Sequence, residues 1–115
     1  MMNTDATAKT PFLLTTTDEL PQVQVIENLG LASGSSVRAK NFIKDIGATI
    51  KNAIGGELTS YTELMEEARE EATQRMIQQA RSMGANAIVG IRFATSSIAQ
   101  GAAEIYVYGT AVKVG

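Results

Sequence analysis

Apolar residues alternate with polar ones in the first half of the chain. In QVQVIENLGLASGSSV (22–37) four apolar residues share one parity: Val23, Val25, Leu29 and Leu31. That period is typical of a strand with one buried face. Before it, FLLTTT (12–17) predicts a short strand, and DELP (18–21) predicts a turn. The small residues of SGSS (33–36) predict a flexible exit from the second strand.

From Asn41 onward the apolar period becomes helical. Four isoleucines follow it, namely Ile43, Ile46, Ile50 and Ile54, and they predict a first helix that ends at the Gly55–Gly56 pair. A second helix is predicted to begin at Ser60, because Ser60 and Glu63 fit a capping box. Its apolar stripe comprises Tyr61, Met65, Ala68, Ala72, Met76, Ala80 and Met83. Gly84 is suited to the C′ position that ends this helix.

Two further strands follow the helices. In NAIVGIRFAT (86–95), alternation predicts Val89, Ile91 and Phe93 on one face and Ile88, Gly90 and Arg92 on the other. SSIAQGA (96–102) is predicted to turn the chain. The last strand, EIYVYGTAVKV (104–114), is apolar on both faces.

These elements predict one α+β domain over residues 11–115, preceded by a flexible polar tail over residues 1–10. We expect a small mixed, largely antiparallel sheet with two consecutive helices packed on one face. Both helices lie in the connection between the second and third strands, and no other segment is long enough to cover the opposite face. Because the last strand is apolar on both faces, we expect that second face to be buried against identical copies.

Composition excludes several classes of function. The 115 residues carry a net charge of -2 and contain no cysteine and no histidine, which excludes disulfides, zinc fingers and Ser-His or Cys-His catalysis within the chain. No concentrated basic face predicts nucleic-acid binding. No segment predicts a signal peptide or a membrane span, so we expect a cytoplasmic protein without a membrane or nucleic-acid partner.

Three residues are candidates for ligand binding: Glu57, Arg92 and Glu104. Arg92 lies on an otherwise apolar strand, and a buried arginine must pair, with Glu57, Asp45 or Glu104 as possible partners. Glutamates at i and i+4 of the second helix, such as Glu63 and Glu67, could approach a hard cation, although a solvated helix face explains them as well. No catalytic residue, cofactor or resident metal is predicted.

Four segments give the sequence a resemblance to the YbjQ-like family of small bacterial and archaeal proteins: TTTDELP, GGELTSYTELMEEAREEA, GANAIVGIRF and YGTAVKV. The resemblance runs from Phe12 to the C-terminus. It implies an α+β domain assembled into a homopentameric ring, sometimes stacked further, with no assigned biochemical role. The family also carries a heavy-metal-binding label, which the absence of thiolate and imidazole ligands in this chain does not support.

The favoured hypothesis is therefore a homo-oligomeric scaffold or ligand-binding module that is not an enzyme. The first alternative is a protein that binds a hard cation or a small anion at subunit interfaces through Glu57, Arg92 and Glu104. The second is an enzyme whose active site forms only between subunits.

Overall fold

A computed structural model describes residues 11–39, 56–99 and 102–115. These residues form four strands and one helix. In chain order the elements are β1 (Leu13–Leu14), β2 (Val25–Ala39), α1 (Gly56–Ser82), β3 (Ala87–Ala99) and β4 (Ala102–Val114). The chain is thus α+β, as its pattern of hydrophobic periods predicts.

The four strands form one mixed sheet in the order β1-β3-β4-β2. β1 pairs with β3 in parallel, whereas β4 is antiparallel to both β3 and β2. β2 and β3 are therefore parallel to each other with β4 between them, and α1 lies in the crossover that joins them. The prediction of a mixed, largely antiparallel sheet is confirmed.

The prediction of two consecutive helices is not matched. The described residues contain one helix, and the range predicted for the other, 41–54, lies outside them. The predicted helix start at Ser60 is wrong, because α1 already begins at Gly56. An N-cap residue must precede the first helical turn, so Ser60, with four helical residues ahead of it, cannot be the cap. The residues GELTS belong to the helix and do not separate two helices.

The C-terminal end of α1 agrees with the prediction. Gly84 has a φ of 93°, a left-handed conformation that glycine adopts at little cost. The amide of Gly84 donates to the Arg81 carbonyl (3.0 Å), and the amide of Ala85 donates to the Ala80 carbonyl (3.0 Å). These two bonds define a Schellman motif, which satisfies carbonyl groups that the helix end leaves unpaired.

α1 packs its predicted apolar stripe on one face of the sheet. Four stripe residues are fully buried: Ala68, Ala72, Met76 and Ala80. They contact a core that includes Ala32 of β2, Ile88 of β3 and Val107 of β4. Burial of a side chain such as Met76 contributes about 1.5–3 kcal/mol to stability. This is the principal core of the domain in the residues described.

The segment SGSS is part of β2, so the prediction of a flexible exit at residues 33–36 is wrong. Ser36 is buried, with only 1% of its surface exposed. A Cβ atom at Gly34 would overlap the Ala72 carbonyl oxygen and the Met76 amide nitrogen. The small residues therefore allow the backbone of α1 to approach β2 closely. Because a run of glycine and serine is also typical of loops, the sequence alone suggests a loop here.

Glycines change the side on which strand residues point. Gly90 has a φ of 64°, and the pairing of β3 with β4 shifts register between Val89 and Arg92. Ile91 therefore joins Ile88 in the core beneath the helix, while Val89 packs in a second cluster. The predicted grouping of Val89 with Ile91 is wrong, because strict alternation assumes an unbroken ladder.

β2 departs from alternation in the same way. Gly30 has a φ of 108°, and the pairing of β2 with β4 shifts register between Asn28 and Gly30. Leu29 packs against the helix-side core, whereas Leu31 is 64% exposed. The two leucines share a parity but do not share a face.

The face of the sheet that α1 does not cover is only partly buried. Near β1, Ala87, Val89, Val112 and Val114 form a second cluster with Leu13, Leu20 and Val23 packed against it. The prediction that β4 has apolar residues on both faces is confirmed, since Val107 lies in the first cluster and Val112 in the second. Farther along the strands this face is open in the part of the chain that the structure describes.

Candidate functional site

A network of four side chains connects α1 to β2 on the helix side of the sheet. The Ser36 hydroxyl donates to Glu71 Oε1 (2.5 Å), and Arg38 Nη1 donates to Ser36 Oγ (2.7 Å) and to Glu71 Oε1 (3.1 Å). Arg75 Nη2 lies 3.2 Å from Glu71 Oε2, and Arg75 Nη1 donates to the Ser35 carbonyl (2.7 Å). Glu71 therefore binds two guanidinium groups and a hydroxyl at once.

This network lowers the pKa of Glu71 below its ordinary value of 4.5. The hydrogen bond from Ser36 is the largest cause, followed by the bond from Arg38, and the positive charge of Arg75 adds to it. Each interaction favours the ionised carboxylate. The network therefore fixes the helix on β2, and we interpret it as structural.

Sequence reasoning found only part of this network. The i,i+4 spacing of Glu71 and Arg75 predicts their pairing, and the pair is present. Ser36 and Arg38 were missed because residues 33–36 were predicted to form a loop. The missed signal is the alternation that continues from Ala32 through Gly34 and Ser36, in which small residues replace large apolar ones.

Arg92 lies on β3 and is exposed, so the expectation that it is buried is wrong. Its pairing with an acidic side chain, within the subunit or between subunits, stays a prediction. Its Nη1 donates to the Thr16 carbonyl (2.8 Å) and to the Ile91 carbonyl (2.8 Å). Arg92 points to the side of the sheet that α1 leaves open, and there it ties the residues after β1 to β3. The segment TTTDELP is held in addition by the Gly90 amide, which donates to the Thr17 carbonyl (2.8 Å).

Two of the three candidate residues, Arg92 and Glu104, lie on paired strands, and the third lies in the helix. Glu57 belongs to the first turn of α1. Arg92 pairs in register with Tyr108, while Glu104 pairs with Ser96. Residues directly opposite in an antiparallel pair share a face, so Arg92 and Glu104 lie on the same face of the sheet, four residues apart along the strands. Asp45, the other proposed partner of Arg92, lies outside the described residues.

We call this surface the helix-free face. Its members are Leu31, Ser33, Ser35 and Val37 of β2, Arg92, Ala94 and Ser96 of β3, and Glu104, Tyr106 and Tyr108 of β4. Leu31 is 64% exposed, Val37 51% and Tyr108 36%. The rings of Tyr106 and Tyr108 lie 5.6 Å apart. The face thus combines apolar, aromatic and hydroxyl groups with one cation and one anion.

Two shallow clefts flank β1. One, of about 340 Å³, is lined by Pro11, Phe12, Arg81, Ala85 and Asn86, with the Arg81 guanidinium 5.2 Å from the centre of the Phe12 ring. The other, of about 360 Å³, is lined by Leu13, Leu20, Pro21, Gln22 and Val23. Both are open clefts, and none of the described residues that line them carries a carboxylate, so we place no chemistry there.

No group of three or more acidic side chains in the described part of the chain lies close enough together to hold a metal ion. No helix among residues 11–39, 56–99 and 102–115 is both long and apolar enough to cross a membrane.

The fold and the exposed surface define the class of protein. It is a small α+β domain with a helix on one side of a mixed sheet and an open face on the other. Comparison with known proteins then gives the family. The sequence model of the YbjQ family, described as "Putative heavy-metal-binding", matches residues 12–115. The chain belongs to the YbjQ-like family, as its four sequence segments suggest.

Relatives of this chain carry names that assign no activity. A UPF0145 protein of Hahella chejuensis is 57% identical over 100 residues, which cover 87% of this chain and 96% of the relative. A UPF0145 protein of Acinetobacter baylyi is 58% identical over 95 residues, covering 83% and 88%. One from Thermus thermophilus is 49% identical over 102 residues, covering 89% and 90%.

A solved structure shows a similar fold. It is a protein of unknown function from Pediococcus pentosaceus, assigned to the DUF74 family, with a TM-score of 0.56 and 16% sequence identity. The similarity covers 90% of this chain and 98% of that one. At this identity it supports the α+β fold alone.

Proposed function

We propose that this protein is a self-associating subunit, a scaffold or ligand-binding module of the YbjQ-like family rather than an enzyme, and that its helix-free face is buried in the assembly. The observation that carries the proposal is the exposure of Leu31, Val37 and Tyr108 on one sheet surface. Three large apolar side chains on adjacent strands form the kind of patch that marks an interaction surface.

The edge of the sheet supports the same proposal. β2 is an edge strand of 15 residues whose outer side pairs with no other described strand. A long unpaired edge is a template for pairing with other chains unless it is covered. Identical copies arranged with closed symmetry would cover both the unpaired edge of β2 and the exposed helix-free face. The family resemblance leads us to propose a ring of five, alone or stacked.

The test is the mass of the protein in solution. Light scattering at micromolar concentration should give a mass several times 12.2 kDa. Tyr108→Lys, on the helix-free face, should lower that mass while circular dichroism shows a folded protein. Gln78→Lys, on the exposed side of α1, is the matched control and should leave the mass unchanged. A native protein that remains monomeric would refute the proposal.

The structure also decides which variant can serve in this test. Val107 and Tyr108 are adjacent in β4, but Val107 is fully buried beneath α1. A lysine there would bury an unpaired charge and should unfold the domain. Val107→Lys therefore measures folding, and Tyr108→Lys measures assembly.

A further inference from the structure

Among its described members, the helix-free face carries one basic and one acidic side chain, four residues apart along the strands. Arg92 lies at the level of Tyr108, and Glu104 lies at the level of Ser96. The pair Ala94 and Tyr106 lies midway between these two levels. At ~3.3 Å per residue, the Arg92 and Glu104 levels are roughly 13 Å apart along the strands.

We propose that this face docks on the same face of a second copy, about a two-fold axis that crosses the strands at the level of Ala94 and Tyr106. Such an axis exchanges the two outer levels, so Arg92 of each copy meets Glu104 of the partner subunit. The interface is isologous and contains the ion pair twice. This inference rests on the proposed self-association and specifies which surfaces meet and in which orientation. Because a single ring of five contains heterologous contacts and no two-fold axis, the inference places this contact between two stacked rings.

Arg92 is prepared for this role by its contacts within the chain. The bonds from Nη1 to the Thr16 and Ile91 carbonyls occupy both hydrogens of that nitrogen. Nε and Nη2 make no hydrogen bond to another described residue. Together they form the planar fork that binds a carboxylate through two parallel hydrogen bonds. Because the side chain is already tethered, its pairing with a partner carboxylate would cost little conformational entropy.

The surroundings of the charged pair suit packing of two sheets. Packed sheets lie about 10 Å apart, a gap that an arginine and a glutamate together can span. Tyrosine and arginine are enriched in protein interfaces, and here Tyr106 and Tyr108 lie beside the axis with their rings in contact.

Charge reversal tests the proposal. Arg92→Glu would place two acidic groups at each contact, and Glu104→Arg would place two basic groups there. Each variant alone should raise the concentration needed for half-assembly by about tenfold or more, because like charges across an interface are strongly unfavourable. The double variant Arg92→Glu/Glu104→Arg restores opposite charges and should assemble close to the native concentration.

Mixing gives the sharper result. When the two single variants are combined in equal amounts, an all-acidic face can meet an all-basic face, so assembly should return. A contact within one copy cannot be restored by mixing, so recovery places the contact between copies. Sedimentation velocity measures assembly across a dilution series, with circular dichroism on each variant.

The exposed side of α1 supplies matched controls. Arg69→Glu and Glu66→Arg make the same charge changes at exposed positions of the helix. Neither should shift the half-assembly concentration, and mixing them should have no effect. Equal weakening by the controls would show that net charge, not a specific contact, governs assembly, and it would overturn the proposal.

The remaining outcomes separate this inference from the proposed function. If the native protein assembles but neither mixing nor the double variant restores assembly, this docking mode is wrong while self-association stands. A native protein that is monomeric would refute both this docking mode and the proposed self-association. If a reversed variant does not fold, Arg92→Gln and Glu104→Gln replace the reversals. The double neutral variant should then lose no more assembly than either single one, and additive losses would contradict the contact.

Discussion

Gly34 shows how one residue determines the contact between helix and sheet. Its missing side chain leaves room for the Ala72 carbonyl oxygen and the Met76 amide nitrogen. Both groups belong to the helix backbone, which cannot rotate out of the way as a flexible side chain would. The space above Gly34 is therefore a requirement of the fold.

We expect Gly34→Ala to lower the free energy of unfolding by about 1–3 kcal/mol, the usual cost of overpacking a well-packed core. Urea denaturation followed by circular dichroism measures it. Ser35→Ala, at the next position but on the helix-free face, should change stability by less than about 0.5 kcal/mol. Equal effects of the two substitutions would mean that α1 does not approach β2 closely at Gly34.

Glu71 is the residue at which the contact between helix and sheet depends on pH. Its pKa is lowered in the folded protein, chiefly by the hydrogen bond from Ser36. A carboxyl group with a lowered folded pKa binds more protons when unfolded, so its contribution to stability rises with pH. That contribution is complete above the ordinary pKa of 4.5 and is lost as the pH falls through the lowered value.

Thermal melting between pH 7 and pH 3 should therefore show a steeper loss of stability for the native protein than for Glu71→Gln. Ser36→Ala should give an intermediate profile, because it removes the largest single cause of the lowered pKa while leaving both arginines. Superimposable profiles for the native protein and Glu71→Gln would show that the network does not form in solution.

At the scale of elements, the end of α1 depends on local backbone geometry. Gly84 has a φ of 93°, and a Cβ atom there would meet no other atom within 4 Å. A substitution at this position is therefore strained by backbone conformation alone. The requirement for glycine at position 84 is thus conformational, whereas the requirement at Gly34 is steric.

Gly84→Ala should lower stability by about 1–2 kcal/mol, the cost of a left-handed conformation for a residue with a Cβ atom. The packing contacts of α1 with the sheet remain, so the variant should still be folded at 25 °C. Gln78→Ala, at an exposed position in the C-terminal part of the same helix, is expected to be neutral or slightly stabilising because alanine favours helices. A neutral Gly84→Ala would contradict the Schellman geometry.

The strands show which features of an element are local. β4 could be predicted from Glu104 to Val114 because apolar residues occur at both parities of that segment, and the structure extends the strand back to Ala102. β2 and β3 could be predicted to exist, but their faces could not be predicted beyond Gly30 and Gly90. A bulge inserts one residue into a ladder and reverses every assignment that follows it. The local sequence around Gly30 and Gly90 does not show whether either glycine forms a bulge.

At the scale of the whole molecule, ligand chemistry limits what the protein can bind. The chain has no cysteine and no histidine, and soft metals bind tightly through sulfur or imidazole. We therefore expect calorimetry on the untagged protein to show no tight binding of zinc, copper or cadmium. A polyhistidine-tagged sample should bind them and serves as the positive control. Stoichiometric sub-micromolar binding by the untagged protein would contradict the expectation.

The distances between the candidate site residues depend on the tertiary structure of the whole molecule. Glu57, Arg92 and Glu104 could be chosen from their residue types and neighbours, but their distances could not. The register of β3 with β4 places Arg92 and Glu104 on one face, whereas Glu57 lies in α1. Arg92 is exposed on a strand because α1 covers only the other face of the sheet.

By itself, the sequence determined the features that depend on neighbours within a few residues. These are the apolar stripe of α1, its glycine cap and the strands near the C-terminus. The tertiary structure alone decided the rest: that SGSS lies in a strand beneath the helix, that Ser36 and Arg38 bind Glu71, and that Arg92 faces away from the helix. Those outcomes depend on contacts between residues far apart in the chain, such as the hydrogen bond from Ser36 to Glu71 across 35 positions, and a local period carries no information about them.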